Sequence, residues 1–287
     1  IAITKMCIAG YKGVNITKPK GLINYFEYFF GEDQGRYLIE VEKADLKKVK
    51  STLEKNSVYF EEFGVINEKN IIIKDKLNVT IDELAKEIRE SGGTCHPIPF
   101  DITDEKQIPE VVDKAQKELG LVDILVNNAG IPDAQRAHKM SNEFTDLVFG
   151  TNLIGPWKLS CEVARRLIEA KKPGRMVNIS SVGAFRYDGN GAALYSVTKS
   201  ALIRMTECLA VEWARFNINV NAIAPGAFSS EMMDGMLERM GDFSSAFPRG
   251  RIGDPAQMDS SLLYFVSPAS EFVTGTYVKI DDGQGAR

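Results

Sequence analysis

The run Val122-Asp-Ile-Leu-Val126 breaks into Asn127-Asn128-Ala129-Gly130. A short, near-continuous apolar run reads as a strand buried on both faces, as strands are in a parallel sheet covered by helices. Such sheets bind ligands outside the carboxyl ends of their strands, where Asn128, Ala129 and Gly130 stand. Gly130 lets a ligand approach the backbone closely, and the asparagine side chains can tie neighbouring strands together. Similar runs follow at Arg175 to Ser180, with Ser181 at its end, and at Ile218 to Ile223, with Pro225-Gly226 at its end. A shorter strand is predicted over His96 to Phe100.

Helical stretches alternate with these runs. One spans Ser141 to Ala170 and carries Asn152, with a kink predicted at Gly155-Pro156. Another spans Ala193 to Phe216. Strand and helix in alternation imply an α/β fold with a parallel sheet. On the second helix Tyr195 and Lys199 are four residues apart, one above the other on one face. A free phenol has a pKa near 10, and a lysine ammonium one turn away is expected to lower it. Tyr195 is then a candidate acid/base and Lys199 its tuner. Ala201, Met205, Cys208, Leu209 and Val211 supply apolar faces for the core and for subunit contact.

Tyr195-Ser-Val-Thr-Lys199 does not stand alone. Asn127-Asn-Ala-Gly130, Asn152 and Asn178-Ile-Ser-Ser181 precede it, and Asn221-Ala-Ile-Ala-Pro225-Gly226 follows. Gly250-Arg-Ile-Gly-Asp-Pro255, Val273-Thr-Gly275 and Ile280-Asp-Asp-Gly283 complete the set. From about Asp82 to Arg287 the chain resembles the short-chain dehydrogenase/reductase family. The resemblance implies a Rossmann-like doubly wound sheet and an NAD(P)-dependent oxidoreductase that interconverts an alcohol and a carbonyl. It implies Asn152, Ser181, Tyr195 and Lys199 as catalytic residues, with Ser181 a donor to a substrate oxygen, Asn152 holding a water and Lys199 also a ligand of the nicotinamide ribose. The interval from Ser181 to Tyr195 is one residue longer than is usual in the family, which leaves Ser180 an alternative to Ser181. It implies cofactor contacts at Asp101 and Ile102, Asn128 to Gly130, Tyr195, Lys199, Pro225, Gly226, Phe228 and Ser230. Ser230 stands where the family usually has threonine, which keeps the hydroxyl. The bland reading of Asp101-Ile-Thr-Asp104 is a helix N-cap by Thr103 or Asp104. The family implies a homodimer or homotetramer and a small alcohol or carbonyl substrate; NAD and NADP remain alternatives.

One family feature is missing. No T-G-x-x-x-G-x-G turn occurs in the chain, so the sheet is expected to be an incomplete version of the fold and cofactor anchorage to be impaired. In its place, residues 1–83 read as a small α+β segment. Tyr37 to Val41, Tyr59 to Ile66 and Ile71 to Lys74 have strand character, and Asp45 to Asn56 has Leu46, Val49 and Leu53 on one helical face. Thr80-Ile-Asp-Glu83 opens another helix with capping-box spacing, and Gly92-Gly93 stops it. Phe30-Gly-Glu-Asp-Gln-Gly-Arg-Tyr37, Phe63-Gly-Val-Ile66 and Ile81-Asp-Glu-Leu84 resemble the C-terminal tail of phosphoribosylformylglycinamidine synthase. Residues 1–83 hold 12 Lys and 1 Arg, and residues 84–287 hold 10 Lys and 12 Arg, a split that folding does not require. Three readings follow: a chimera carrying a working dehydrogenase half; a fusion serving only as a folded binding or oligomerising protein; or a fragment of the purine-biosynthesis amidotransferase/ligase.

The remaining expectations are exclusions. Gly10-Tyr-Lys-Gly13 reads as a surface turn and not a phosphate loop. A formal charge of −4 gives no reason to expect nucleic acid or an anionic membrane as partner. There is no apolar run long enough for a span. Cys7, Cys95, Cys161 and Cys208 have no metal or disulfide spacing and are expected to be reduced and mostly buried in a cytoplasmic protein. No metal site is expected. His138 reads as a loop histidine. The start at Ile1 suggests a fragment. Met232, Met236 and Met240, followed by Phe243 and Phe247, fit either a lid over an apolar substrate or an ordinary packed helix face.

Overall fold

The computed structural model of the chain describes residues 13–16, 46–55, 64–67, 71–73, 77–79, 81–187, 189 and 191–285. It divides into two compact units, Ile1–Asp101 and Ile102–Arg287.

In the first unit, β1 (Gly13–Ile16), β2 (Gly64–Asn67), β3 (Ile71–Ile73) and β4 (Leu77–Val79) form a sheet of order β2-β1-β3-β4. β1 is antiparallel to β2 and parallel to β3, and β4 is antiparallel to β3. Helix α1 (Leu46–Lys55) holds Leu46, Val49 and Leu53 half-buried, as their spacing predicts. Helix α2 (Ile81–Glu90) stops at Gly92, whose φ of 89° reverses the chain, and Gly93 N–H donates to the Ile88 carbonyl. The strand expected over Tyr37 to Val41, Gly10 to Lys12 and the cap at Thr80 lie outside the described residues. His96 to Phe100 forms no strand. Pro97 and Pro99 remove two amide donors from five residues, too many for a ladder.

The second unit is a parallel sheet of order β5-β6-β7-β8: Ile124–Asn127, Gly174–Ile179, Ile218–Pro225 and Tyr277–Ile280. Helix α3 (Gln107–Leu119) precedes β5, and α4 (Asn142–Phe149), α5 (Gly155–Ala170), α6 (Ala193–Trp213), α7 (Glu231–Met240) and α8 (Asp259–Val266) lie between the strands. Successive strand residues face opposite ways. Val177 and Ile223 pack on Phe265 of α8, whereas Asn178 donates to Thr206 of α6 on the other face. Helices therefore cover both faces of β6 and β7, which accounts for their near-complete burial.

β5 departs from expectation. It is shorter than Val122 to Val126 suggested and lies at the sheet's edge, and Ile124 and Val126 are 41% and 37% exposed. Among the described residues β5 pairs with β6 alone, and the face that carries Ile124 and Val126 stays wet. The cysteines depart as well: Cys95 and Cys161 are partly buried and Cys208 is exposed, on the outward face of α6. Among the described residues, no helix is long and apolar enough to cross a membrane.

The long helical stretch from Ser141 breaks just before the predicted point. A π-helical turn, Gly150–Ile154, separates α4 from α5. Pro156 has no N–H for the Asn152 carbonyl, so the ladder cannot continue in α register there. Gly155 passes directly over Ile102: a Cβ at 155 would lie 2.5 Å from Ile102 Cγ1 and 2.7 Å from its carbonyl oxygen. The π turn rotates Asn152 inward, where it is fully buried.

Candidate active site

Four polar side chains hold the ends of β5 and β6 together. Asn127 and Asn178 face each other in the ladder, and Asn127 Nδ2 donates to Asn178 Oδ1 at 2.8 Å and to Ser160 Oγ at 2.9 Å. Asn178 Nδ2 continues to Thr206 at 2.9 Å. All four are buried, so the network fixes the sheet's edge to α5 and α6. Beyond it Asn128 and Ala129 are exposed and Gly130 is partly buried, at the carboxyl end of β5.

Asn152 grips the next residue. Its Oδ1 accepts the Ile131 amide at 2.8 Å, and its Nδ2 donates to the Ile131 carbonyl at 2.9 Å. A weaker contact reaches Thr198 Oγ1 at 3.3 Å. A Cβ at Gly130 would lie 3.2 Å from Lys199 Nζ and 3.6 Å from Asn152 Oδ1. Gly130, Asn152 and Lys199 thus converge at one point.

The adjacent serines divide their work. The buried Ser180 donates to the Lys199 carbonyl at 2.8 Å. Ser181 accepts from the Gly183 amide at 3.1 Å, and its hydroxyl hydrogen-bonds the Tyr195 phenol. Ser181 is the serine that faces Tyr195.

Lys199 is buried, with Nζ donating to the Ile179 carbonyl at 2.8 Å and 5.6 Å from the Tyr195 ring centroid. Burial lowers its pKa from 10.5 to about 8. The expected lowering of the Tyr195 pKa is not found. Burial raises it, the Ser181 hydrogen bond opposes that rise, and the Asp133 charge adds to it. The ammonium is directed at a backbone carbonyl and not at the phenol oxygen, so its effect on the phenol is small beside desolvation.

Pro225 ends β7, and the Gly226 amide donates to the Ile280 carbonyl at 2.8 Å. Gln284 Oε1 accepts the Ala227 amide at 2.7 Å. Phe228 lies against Gly253, and Ser230 caps α7 by accepting the Met233 amide at 3.2 Å. Ile102 packs on Gly155. Asp101 is exposed at the end of the first unit. The N-cap of α3 is Lys106, with no side-chain cap, and not Thr103 or Asp104; Asp104 accepts the Lys106 amide and the Gln107 side chain just ahead of the helix. His138 is exposed in a 3-10 turn. Met233 is the buried methionine of α7, Met232 and Met236 are partly buried, and Phe243 meets Phe247 edge-on at 5.6 Å. An open cleft of 360 Å³ lies beside α7, lined by Ser229, Met233, Leu237 and Ile252 among others, with none of Asn152, Ser181, Tyr195 or Lys199 in its wall. No metal-ligand cluster occurs among the described residues.

Two participants went unnoticed in the sequence. Thr198 links Asn152 to the Tyr195 carbonyl, and Asp133 accepts the Leu194 amide at 2.7 Å. Neither has a motif of its own; Asp133 meets its partner 61 residues further on.

A parallel sheet whose strand ends gather Asn152, Ser181, Tyr195 and Lys199 defines a class, and comparison with known proteins identifies it. The family profile described as enoyl-(acyl carrier protein) reductase matches residues 69–284. The 3-oxoacyl-[acyl-carrier-protein] reductase FabG of Thermotoga maritima is 35% identical over 214 residues, covering 74% of this chain and 86% of that protein. The 2-dehydro-3-deoxy-D-gluconate 5-dehydrogenase of Dickeya dadantii is 36% identical over 208 residues, covering 71% and 82%. A gluconate 5-dehydrogenase from Burkholderia cenocepacia, solved with NADP and tartrate, superposes with a TM-score of 0.65 at 30% identity, over 70% of this chain and 79% of that one. The chain belongs to the short-chain dehydrogenase/reductase family.

Proposed function

We propose that the chain interconverts an alcohol and a carbonyl compound by hydride exchange with NAD or NADP. The observation that carries this is the convergence of Ser181, Tyr195 and Lys199, with the Ser181 hydroxyl on the phenol and the Lys199 ammonium one turn below it. The nicotinamide cofactor supplies the hydride when bound. Tyr195, protonated by virtue of its burial, donates a proton to the carbonyl oxygen or recovers it from the alcohol. Ser181 holds that oxygen. Asn152 keeps the loop after Gly130 against α6 and, by family resemblance, holds a water.

The donor set near Lys199 suits the ribose end of the cofactor. A buried ammonium has three N–H groups, and one carbonyl partner is seen among the described residues. Gly130 beside it leaves room for a diol. Lys199, Tyr195, Asn128 to Gly130, Pro225, Gly226, Phe228 and Ser230 would hold the cofactor, with Asp101 and Ile102 at the adenine end. The pyrophosphate end is different, because the chain has no T-G-x-x-x-G-x-G turn. Weak cofactor binding and an intact proton-transfer site are the combination this reading expects.

The missing turn also favours a second reading, a folded binding or oligomerising protein without turnover. Steady-state reduction of a panel of ketones and 3-oxoacyl compounds, at NADH and NADPH up to millimolar levels, separates the two. Turnover with a high cofactor KM supports the oxidoreductase; a folded chain that leaves both cofactors unbound and unconsumed supports the second reading. A homodimer or homotetramer in the cytoplasm is part of either reading.

We also read residues 1–83 as of separate origin from residues 84–287, on the lysine and arginine split and the resemblance of the first part to a purine-enzyme tail. An uninterrupted DNA read across the codons for residues 75–95 tests whether the two parts are one gene.

A further inference from the structure

Helix α6 begins with an unmet need. Its first-turn amides have no partner within the helix, and Ala192, at the N-cap position, offers no side-chain acceptor. Asp133 fills that role from the loop after β5. Its Oδ2 accepts the Leu194 amide at 2.7 Å, and the Tyr195 amide also faces the carboxylate. Asp133 is fully buried, and its Oδ1 makes no hydrogen bond. A half-satisfied buried carboxylate is a costly cap; a serine at position 192 would serve the helix more cheaply. What a local cap could not do is tie the loop bearing Gly130 to the turn bearing Tyr195, and set a negative charge on the first turn of that helix.

We propose that Asp133 is a positioning residue for Tyr195: it locks the first turn of α6 to the loop after β5 and, while ionised, holds the phenol in its proton-donating form. The proposal rests on the role given to Tyr195 above. The charge of Asp133 is among the causes that raise the Tyr195 pKa, and burial raises that of Asp133 itself. The surrounding groups leave this charge uncompensated. Lys199, one turn along α6, directs its ammonium at the Ile179 carbonyl. Arg136, on the same loop as Asp133, donates to the Gly189 carbonyl at 2.6 Å. Ser181 faces the phenol from the loop after β6 without a charge. No lysine or arginine pairs with Asp133 among the described residues.

The test uses the full chain with Asp133→Asn and Asp133→Ala. The Tyr195 titration is read by NMR of ¹³C-labelled tyrosine, assigned with Tyr195→Phe, and the Leu194 and Tyr195 amides by hydrogen exchange. Asp133→Asn keeps an acceptor and loses the charge. It is expected to lower the Tyr195 pKa and leave amide exchange near the parent's. Asp133→Ala is expected to lower the pKa similarly and to speed exchange of the Leu194 amide by roughly tenfold, the effect of losing a cap. An unmoved titration in both variants, or unchanged exchange in Asp133→Ala, overturns the proposal. Neither readout needs turnover, so a titration shift in a chain that reduces nothing would fault the catalytic assignment and leave the positioning role standing.

Discussion

Asn152 holds both backbone polar groups of Ile131 with its side-chain amide, at 2.8 and 2.9 Å. The clasp exists because the π turn at Gly150–Ile154 rotates Asn152 inward, and it fixes the loop after β5 against the helix carrying Tyr195 and Lys199.

Asn152→Ala removes both partners of two partly buried backbone groups, so a loss of about 1–2 kcal/mol is expected. Urea denaturation at neutral pH measures it. Ketone reduction should fall with it even at temperatures where the variant remains folded. A midpoint equal to the parent's would show that the clasp contributes nothing.

Lys199 makes stability depend on pH in a definite direction. Its folded pKa, about 8, lies below the ordinary 10.5, so the unfolded chain holds the proton more tightly over that interval. Unfolding free energy therefore rises as pH climbs from about 8 towards 10.5, by on the order of 3 kcal/mol. Lys199→Met should abolish that rise, be at least as stable as the parent at pH 7, and be inactive. A parent whose stability falls across this range would contradict the burial account.

Ser180 and Ser181 differ by position alone. Ser181→Ala should cut kcat by roughly 10²-fold or more through loss of the oxygen donor, and cost about 1 kcal/mol through loss of the bond from the Gly183 amide. Ser180→Ala loses a buried bond to the Lys199 carbonyl and should cost about 1 kcal/mol with a smaller effect on kcat. Parallel thermal melts and rate assays check the pair, and reversed effects would exchange their roles.

Gly155→Ala should destabilise more than Gly130→Ala. The added methyl at 155 meets a backbone carbonyl at 2.7 Å, whereas at 130 it meets the flexible end of Lys199 at 3.2 Å. A cost of about 1–3 kcal/mol is expected at 155, and at 130 an effect on cofactor KM. Equal melting temperatures in the two variants would argue against the close crossing of Ile102 over α5.

Much of this was legible because local chemistry and tertiary role coincide. The strand at Ile218, the helix bearing Tyr195 and Lys199, and the polar turn after Val126 all follow from periodicity and from small or polar residues at strand ends. The His96 to Phe100 run failed because its apolar content suggested a strand while two prolines denied it a ladder. The exposure of Ile124 and Val126 depends on what pairs with β5, which no local pattern records. The direction of the Tyr195 shift was misjudged because helical spacing places Lys199 near the ring but does not say where its ammonium points. Asp133 was invisible for a related reason: a cap supplied across 61 residues leaves no signature at either end.

The most direct measurement is the rate of ketone-dependent NADH or NADPH oxidation by the parent chain and by Tyr195→Phe, at saturating cofactor, with circular dichroism confirming that both are folded. Loss of the phenolic proton donor should lower kcat by roughly 10²–10⁴-fold and leave the fold intact. Equal rates in the two proteins would contradict the assignment of Tyr195 as the acid/base.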